Sequence, residues 1–440
     1  MACSRRLGPL RRYVYVACAV AALAASVAAA QGPGSIVIDR NVIVGTVGPY
    51  VYGANYGPLS VVPVGLFDAA RASGITFLRF PGGNYGDVNV IRPFDIDMLM
   101  TISRLIGAEP SIHVRLQNGT PEAAAEMVRY TNVQKGYGVR HWYIGNEPSL
   151  YADYSVAQLN REWRAIALAM LEVDPDIVLI GPDPHQWTGL EGSTLVDDTG
   201  QEWVAGFLEA NGDLVDVVSV HRYPFPRDDA NPNTTVADLR ANSLEWTDLL
   251  SRLRSVAESA TGRTDYRYAV TEANSHWSAT TGGEATNDSS FNAIWWADVL
   301  GKLISDGAYM VNYFDLQSTD GRGGWGLLAA NSPRPTYYVY QLYQRFGTEL
   351  VAASSTEAFV SSYAAIRSDG GLSVIVTNLN DEPRSVAFTS NELAPLQTAL
   401  LLDQYNLAAE VPDPRSTDGA TIDLPARSAM LLYFSAPEGQ

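Results

Sequence analysis

Val215-Asp-Val-Val-Ser-Val-His-Arg-Tyr223 is the passage from which the fold can be read. Four valines in six residues are too continuous for a strand with one wet face. Strands buried on both sides, as in parallel sheets, have this composition. The run closes on polar residues, His221 and Tyr223, and a helical pattern follows over Val236–Ala260. A strand, a polar end and an amphipathic helix form one β-α unit.

The same unit recurs on both sides. Strands are expected at Tyr50–Asn55, Ile75–Phe80, Ser111–Leu116, Arg140–Gly145, Ile177–Gly181, Val215–His221, Arg267–Thr271 and Tyr309–Phe314. The helices between and after them are expected at Val64–Ser73, Asp95–Ile106, Pro121–Tyr130, Val156–Val173, Glu202–Asn211, Val236–Ala260, Phe291–Asp306 and Tyr337–Phe346, with Thr120 an N-cap for the third. Eight units in succession predict an α/β protein with a closed (β/α)8 barrel, over 46–347. The rival is an open doubly wound sheet, but the first strand is not followed by Gly-x-Gly-x-x-Gly and the chain has no P-loop. Beyond Phe346 the period changes to two, in short runs separated by Gly, Asp, Asn and Pro. Residues 348–440 therefore read as a C-terminal antiparallel β-sandwich. Ser35–Asp39, within 31–45, is strand-like and is expected to join that sheet.

The ends of the chain's history show in its first 30 residues. Arg5, Arg6, Arg11 and Arg12 precede an apolar stretch, Val14–Val27, that ends in Ala28-Ala29-Ala30. This is the pattern of an export signal, and the stretch is short for a spanning helix. A secreted or periplasmic protein beginning at Gln31 is expected; an uncleaved anchor is the alternative. Both cysteines, Cys3 and Cys18, fall inside this segment, so the remainder has no thiol for disulfides, catalysis or zinc. Loss of four arginines and no acids takes the formal charge from −18 to −22. Such a surface repels phosphate backbones, so nucleic acid is not an expected partner, and no membrane partner is expected after cleavage. Oligomeric state is not legible. Sequons occur at Asn118, Asn233 and Asn287.

Barrel enzymes place their chemistry at the C-terminal ends of the strands. The polar residues there are Asn55; Arg79 with Pro81-Gly82-Gly83-Asn84; Gln117 and Asn118; Asn146 and Glu147; Asp183 and His185; His221 and Tyr223; Glu272 and Asn274; Asp315 and Gln317. Glu147 and Glu272 close the fourth and seventh strands, on roughly opposite sides of the barrel mouth. Two carboxyls facing each other across a sugar are what glycoside hydrolysis requires, one protonated for the leaving oxygen and one ionised to attack the anomeric carbon.

Trp142-Tyr-Ile-Gly-Asn-Glu-Pro148 resembles the strand-four signature of clan A glycoside hydrolases, and Tyr268-Ala-Val-Thr-Glu-Ala273 the clan's strand-seven nucleophile segment. Phe77-Leu-Arg-Phe-Pro-Gly-Gly-Asn84 resembles strand two of its α-L-arabinofuranosidase families, and His221-Arg-Tyr223 its strand-six pattern. The resemblance covers Tyr50 to about Phe346 and extends, through the C-terminal module, to the arabinofuranosidase, xylosidase and heparanase-like branches. It implies a retaining mechanism with Glu147 as acid/base and Glu272 as nucleophile. It also implies that Asn146 binds the sugar 2-hydroxyl, Arg79 supports the nucleophile and Tyr223 hydrogen-bonds it. Where many clan members carry a tryptophan at the end of strand eight, this chain reads Asn312-Tyr-Phe-Asp-Leu-Gln317, and Trp325 is the candidate replacement.

The expected substrate contacts are Arg79, Asn84, Asn146, His221, Tyr223, Trp277, Trp325, Asn55 and His185, with Trp187 and Tyr85 as further aromatic candidates. Each has an ordinary competing reading, as an ion pair, a turn residue or core packing. His113 and His141 read as structural, His276 as a candidate for the cleft, and Trp295-Trp296 as core. Asp183 and Asp315 are the reserve carboxylates. Five histidines without a His-x-His or His-Glu-x-x-His pattern give no reason to expect a catalytic metal or any cofactor. A carbohydrate is the expected partner. The same residues would serve a transglycosylase, and a non-catalytic carbohydrate-binding barrel is the rival of another class.

Overall fold

The computed structural model describes residues 34–58, 61–226, 233–320, 324–391 and 394–437. Residues 1–30, where an export signal is expected, and the two cysteines in them lie outside these residues. The strands in chain order are β1 (Ser35–Thr46), β2 (Tyr50–Asn55), β3 (Phe77–Phe80), β4 (Glu109–Val114), β5 (His141–Ile144), β6 (Val178–Pro182), β7 (Val217–Arg222), β8 (Arg267–Ala273) and β9 (Met310–Tyr313). Strands β2 to β9 pair in parallel, each with the next, and β9 closes on β2. Alternation along each strand fills the barrel inside and out. Phe77, Tyr143, Val178, Ile180, Val217, Ala269 and Met310 pack together in the lumen. Their neighbours, such as Leu78, Trp142, Leu179 and Val218, face the surrounding helices.

The helices form where the apolar period is 3.6, and most begin at a cap. Thr120 accepts from the N–H of Ala123 (3.2 Å), and Ser155 and Ser289 do the same for the helices Val156–Val173 and Ser290–Ser305. Each such cap is worth about 1 kcal/mol. One expected helix is broken. Val236–Ala260 divides into Val236–Asn242, a 3-10 turn Ser243–Trp246 and a helix Leu249–Thr261. Asp248 stands at φ 58°, and the free N–H groups of Leu250 and Ser251 donate to Asp306 rather than to the preceding turn. The break lets Trp246 turn fully into the core against Trp295.

The second module is β1 together with β10 (Glu349–Ser355), β11 (Val360–Ile366), β12 (Leu372–Asn378), β13 (Arg384–Ser390), β14 (Leu396–Leu402), β15 (Leu407–Val411), β16 (Thr421–Leu424) and β17 (Ser428–Phe434). They form one nine-stranded sheet, antiparallel except where β1 runs parallel to β13. Phe388 on β13 and Phe434 on β17 are five strand steps apart, about 24 Å in a flat sheet. Their rings stack at 6.1 Å. The sheet therefore curls over its own core, to which Ile36, Val374, Val376 and Leu432 belong, and takes sandwich form without a second sheet. Strands β15 and β16 escape a period-two reading because they are short, and β10 because Leu350 and Val351 are buried side by side rather than in alternation.

The sheet's other face shares a core with the barrel. Tyr363, Ile375, Leu400 and Leu431 join the cluster that includes Trp295 and Trp296. A polar bolt runs through this interface: Asp298 of helix Ser290–Ser305 accepts from Tyr363 Oη (2.8 Å) and Thr377 Oγ1 (3.1 Å) and pairs with Lys302. No described helix is long and apolar enough to cross a membrane.

Candidate active site

Glu147 and Glu272 meet at the C-terminal mouth of the barrel, and local backbone features aim both. Beyond β5 the chain turns through Gly145 (φ 83°) and Glu147 itself (φ 47°), a conformation that disfavours a residue with a Cβ. The Glu147 N–H is held on the Asp183 carbonyl (3.1 Å), which fixes the turn. On β8 the register against β7 slips between Val220 and His221, so that Val270 and Glu272 pair with consecutive residues. Strict alternation would send Thr271 and Glu272 to opposite faces. The slip lets both reach the interior, where Thr271 Oγ1 donates to Asp183 (2.5 Å) and Glu272 receives Arg79.

Glu272 is almost fully enclosed and surrounded by donors. Arg79 Nη1 (2.5 Å) and the Gly83 N–H (3.0 Å) approach Oε1, and Tyr223 Oη (2.7 Å) approaches Oε2. Gly83 can present its N–H this way because it sits at φ 61°. Glu147 keeps 20% of its side chain exposed, and its Oε1 faces His221 Nδ1 at 3.1 Å. Oxygens of the two glutamates and a ring nitrogen of His221 all lie within 4.8 Å of one another.

A third carboxylate, Asp183, balances this charge from below. It takes Arg79 Nη2 (3.0 Å), Thr271 and Ser219, with His221 Nε2 at 3.5 Å. Burial alone would raise the Asp183 carboxyl, but His221 and Arg79 hold it well below the usual range. Burial likewise opposes a charge on His221, and the carboxylates of Glu272 and Asp183 outweigh it, pushing the imidazole up to about 9. Tyr223 is pushed well up, by burial first and then by Glu272, so it stays a donor. Arg79 is completed by Asn55 Oδ1 (3.0 Å), Asn146 Oδ1 (2.9 Å) and the Tyr143 ring (4.8 Å).

Above these groups lies a cleft of about 730 Å³. Glu147, Glu272, Asn84, Asn146, Tyr223, His185, Trp277 and Trp325 line it. Asn84 is exposed, Trp277 is 43% exposed, and His185 is held by Ser149 Oγ (2.8 Å). Phe314 and Trp325 meet edge to face at 5.6 Å, and Tyr223 meets Phe314 at 6.1 Å. Trp325 thus stands in the cleft, propped on Phe314, the residue that follows β9. A smaller space of about 370 Å³, bordered by Asn55, Tyr85 and Asp315, shares the Phe314–Trp325 wall.

Three expected substrate contacts take another place. Arg79, Asn55 and His221 have no exposed surface. Their polar atoms are committed beneath the carboxylates, Asn55 Nδ2 to the carbonyl of Thr271 (3.1 Å) as well. Arg79 and His221 partner the glutamates from beneath and Asn55 holds Arg79, because an uncompensated buried carboxylate is too costly to leave without such partners. Trp187 is also buried and packs in the core. His276 is buried, is lowered to about 4 chiefly by desolvation, and supports Trp325 through its carbonyl (2.9 Å). Asp183 is enclosed as a counter-charge. His113 lies buried beside Asp87, and His141 sits at the far end of the barrel. The sequon Asn287 is buried and accepts from Ser275 (3.1 Å), so the folded chain offers it to no glycosylating enzyme.

Asp87 was not among the expected residues. It anchors the Asn146 N–H (2.8 Å), Tyr151 Oη (2.5 Å) and the Leu116 N–H (2.9 Å), fixing the turn that carries Glu147. An acid three residues after the Gly-Gly-Asn loop was its only signal. Leu150, Gln186 and Phe314 line the cleft without any pattern to mark them. Among the described residues, Glu147, His221 and Glu272 are the one His/carboxylate group close enough to share a metal ion. An imidazole held as a cation is a poor metal ligand.

No family model matches the chain. An intracellular exo-α-(1→5)-L-arabinofuranosidase of Streptomyces lividans is 27% identical in an alignment 207 positions long that covers 37% of this chain and 30% of that enzyme. The chain thus spans under a third of the length of this curated relative. Among solved structures, a family 51 α-L-arabinofuranosidase of Bifidobacterium longum superposes with a TM-score of 0.74 at 15% identity, over 92% of this chain and 100% of that one. A bifunctional glucanase-xylanase from a metagenome library gives 0.71 at 17% identity over the same shares. The likeness to these solved structures extends a shared barrel-plus-sheet fold over nearly the whole described length of this chain.

Proposed function

We propose that the chain is a retaining glycoside hydrolase acting on arabinose-containing glycans. The observation that carries this reading is the pair of carboxylates, one oxygen of each within 4.8 Å, in unlike surroundings. Carboxyls in retaining enzymes stand about 5–5.5 Å apart, whereas inverting pairs leave room for a water at about 6.5–9.5 Å.

In the first step Glu272 attacks the anomeric carbon. A bond forms from its carboxylate to that carbon, the glycosidic C–O bond breaks, and the Glu147 proton passes to the departing oxygen. In the second step water attacks the same carbon, Glu147 takes the water's proton, and the Glu272 ester bond breaks. The donors from Arg79, Gly83 and Tyr223 fix the direction of Glu272 before substrate arrives. Glu147 faces the cleft, where a proton can come and go. Arabinose is favoured by the strand-two passage Phe77–Asn84 and by the name carried by the Streptomyces lividans relative.

Export is part of the proposal and rests on residues 1–30 alone; the relative just named is described as intracellular. The test is turnover of a panel of aryl glycosides by the full-length protein, together with the N-terminal sequence of any protein found in the culture medium. Release of phenol from the α-L-arabinofuranoside, and an N-terminus at Gln31, are expected. Turnover of only glucosides or xylosides would overturn the sugar assignment, and an active protein confined to the cytosol the export assignment.

A further inference from the structure

We propose a second glycan-binding site, separate from the catalytic cleft, in the groove where the loop after β8 meets three turns of the C-terminal sheet. The groove measures about 900 Å³, more than the catalytic cleft. One wall is Gly282–Glu284 with the start of helix Ser290–Ser305. The other is made by Asp381 (between β12 and β13), Asp403–Tyr405 (between β14 and β15) and Pro425–Arg427 (between β16 and β17).

The groove is preformed. Arg427 ties its walls together, with Asp381 at 2.7 Å, Glu284 at 3.6 Å and the Phe291 ring 5.7 Å below its guanidinium. Arg240 holds Asp381 from the far side (2.6 Å). Tyr405 stands on a rigid turn, in which Asp403 Oδ1 accepts from the N–H groups of Tyr405 (2.7 Å) and Asn406 (2.7 Å). Tyr405 is nonetheless 83% exposed. An aromatic side chain left in water forgoes the gain of burial. A ligand whose C–H groups lie on that face would recover it.

The surroundings select the ligand. Glu284, Asp288, Asp381 and Asp403 outnumber the single Arg427, so phosphate-bearing partners are repelled. One exposed aromatic platform among carboxylates and the Gln404 amide, with Phe291 covered by Arg427, lacks the apolar centre of a protein interface. It suits a neutral polyol chain: ring C–H groups on Tyr405, hydroxyls on the acids and the amide. The groove also adjoins the cleft. Trp277 lines the cleft and Gly282 the groove on one loop, five residues apart and so at most roughly 18 Å. Asp288 braces that loop through the Gly282 N–H (3.0 Å) and Thr286 Oγ1 (2.6 Å). A polymer could occupy both places and gain effective concentration, whereas a short glycoside could not.

This inference rests on the proposed function only for its choice of probes. The full chain carrying Glu272→Gln, which prevents digestion, is run in affinity gels containing arabinan, arabinoxylan or xyloglucan. Tyr405→Ala and Tyr405→Phe are compared in that background. Tyr405→Ala should weaken retention by roughly five- to tenfold, the scale of one aromatic contact, while Tyr405→Phe keeps most of it. Aryl arabinofuranoside kinetics of Tyr405→Ala alone should match the parent, with unchanged thermal unfolding. Equal retention of Tyr405→Ala and parent, or no retention of the parent on any of the three polymers, overturns the site. Absence of aryl glycosidase activity would instead count against the catalytic reading and leave the retention result standing.

Discussion

The two ends of the barrel are built from the same residue types and arrive at opposite properties. At the strand starts, Glu109 of β4 accepts from Tyr50 Oη (2.9 Å) and faces His141 Nδ1 (2.9 Å), while His141 Nε2 meets Tyr309 Oη (2.9 Å). Tyr50 packs on Phe77, His141 and Tyr309 within about 5 Å. Here one carboxylate has enough partners and the rings close the lumen. At the strand ends three carboxylates, Glu147, Asp183 and Glu272, share two cationic side chains, Arg79 and His221, and open on a cleft. Charge held in surplus beside open space is the mark of the reactive end. A carboxylate–histidine pair alone is not, since the closed end has one too.

The first way to break this comparison is to remove the exposed member of the open end. Glu147→Ala should lower turnover of substrates with basic leaving groups by about 10²- to 10⁴-fold. A substrate with an acidic phenol should still form its intermediate, and azide, which needs no base, should restore turnover. Loss that is independent of the leaving group and unaffected by azide would show that Glu147 is structural, like Glu109.

The second concerns His221. Its folded value of about 9 lies above the ordinary histidine value of 6.5. A raised cation stabilises the fold fully below about 6.5, and that contribution is lost as pH rises through about 9, a change on the order of 3 kcal/mol. Urea unfolding should show the decline between pH 7 and 10, and His221→Asn should flatten it. An equally steep decline in the variant would place the titration elsewhere.

The smallest expected effect is at the closed end. Glu109→Gln should cost about 1–3 kcal/mol of stability, by weakening the contacts to Tyr50 and His141. It should leave kcat unchanged at temperatures where the protein is folded. A fall in kcat without a fall in Tm would mean that the two ends communicate.

These expectations differ in how far the sequence alone could carry them. Glu147 and Glu272 were legible because each follows an apolar run, where a barrel strand must end. The depth of Arg79, Asn55 and His221 was not, since a polar residue at a strand end reads the same whether it faces ligand or counter-ion. The register slip that turns Thr271 and Glu272 inward has no local signal, so the sequence ends this strand at Thr271 while β8 runs on to Ala273. The break at Asp248 was hidden because the apolar period continues across it and is answered by a distant acid, Asp306. Tyr405 reads in the sequence as the last residue of a period-two strand, Thr398–Tyr405, whereas β14 ends at Leu402 and Tyr405 stands on the turn beyond it.

The most direct test of the central claim, that Glu147 and Glu272 act as a retaining pair, is the anomeric configuration of the first-formed product. It can be followed by proton NMR before mutarotation, with an aryl α-L-arabinofuranoside as substrate. Carboxylate oxygens within 4.8 Å predict a sugar, or a methyl glycoside in added methanol, of retained configuration. An inverted first product would contradict the account and remove Glu272 as nucleophile.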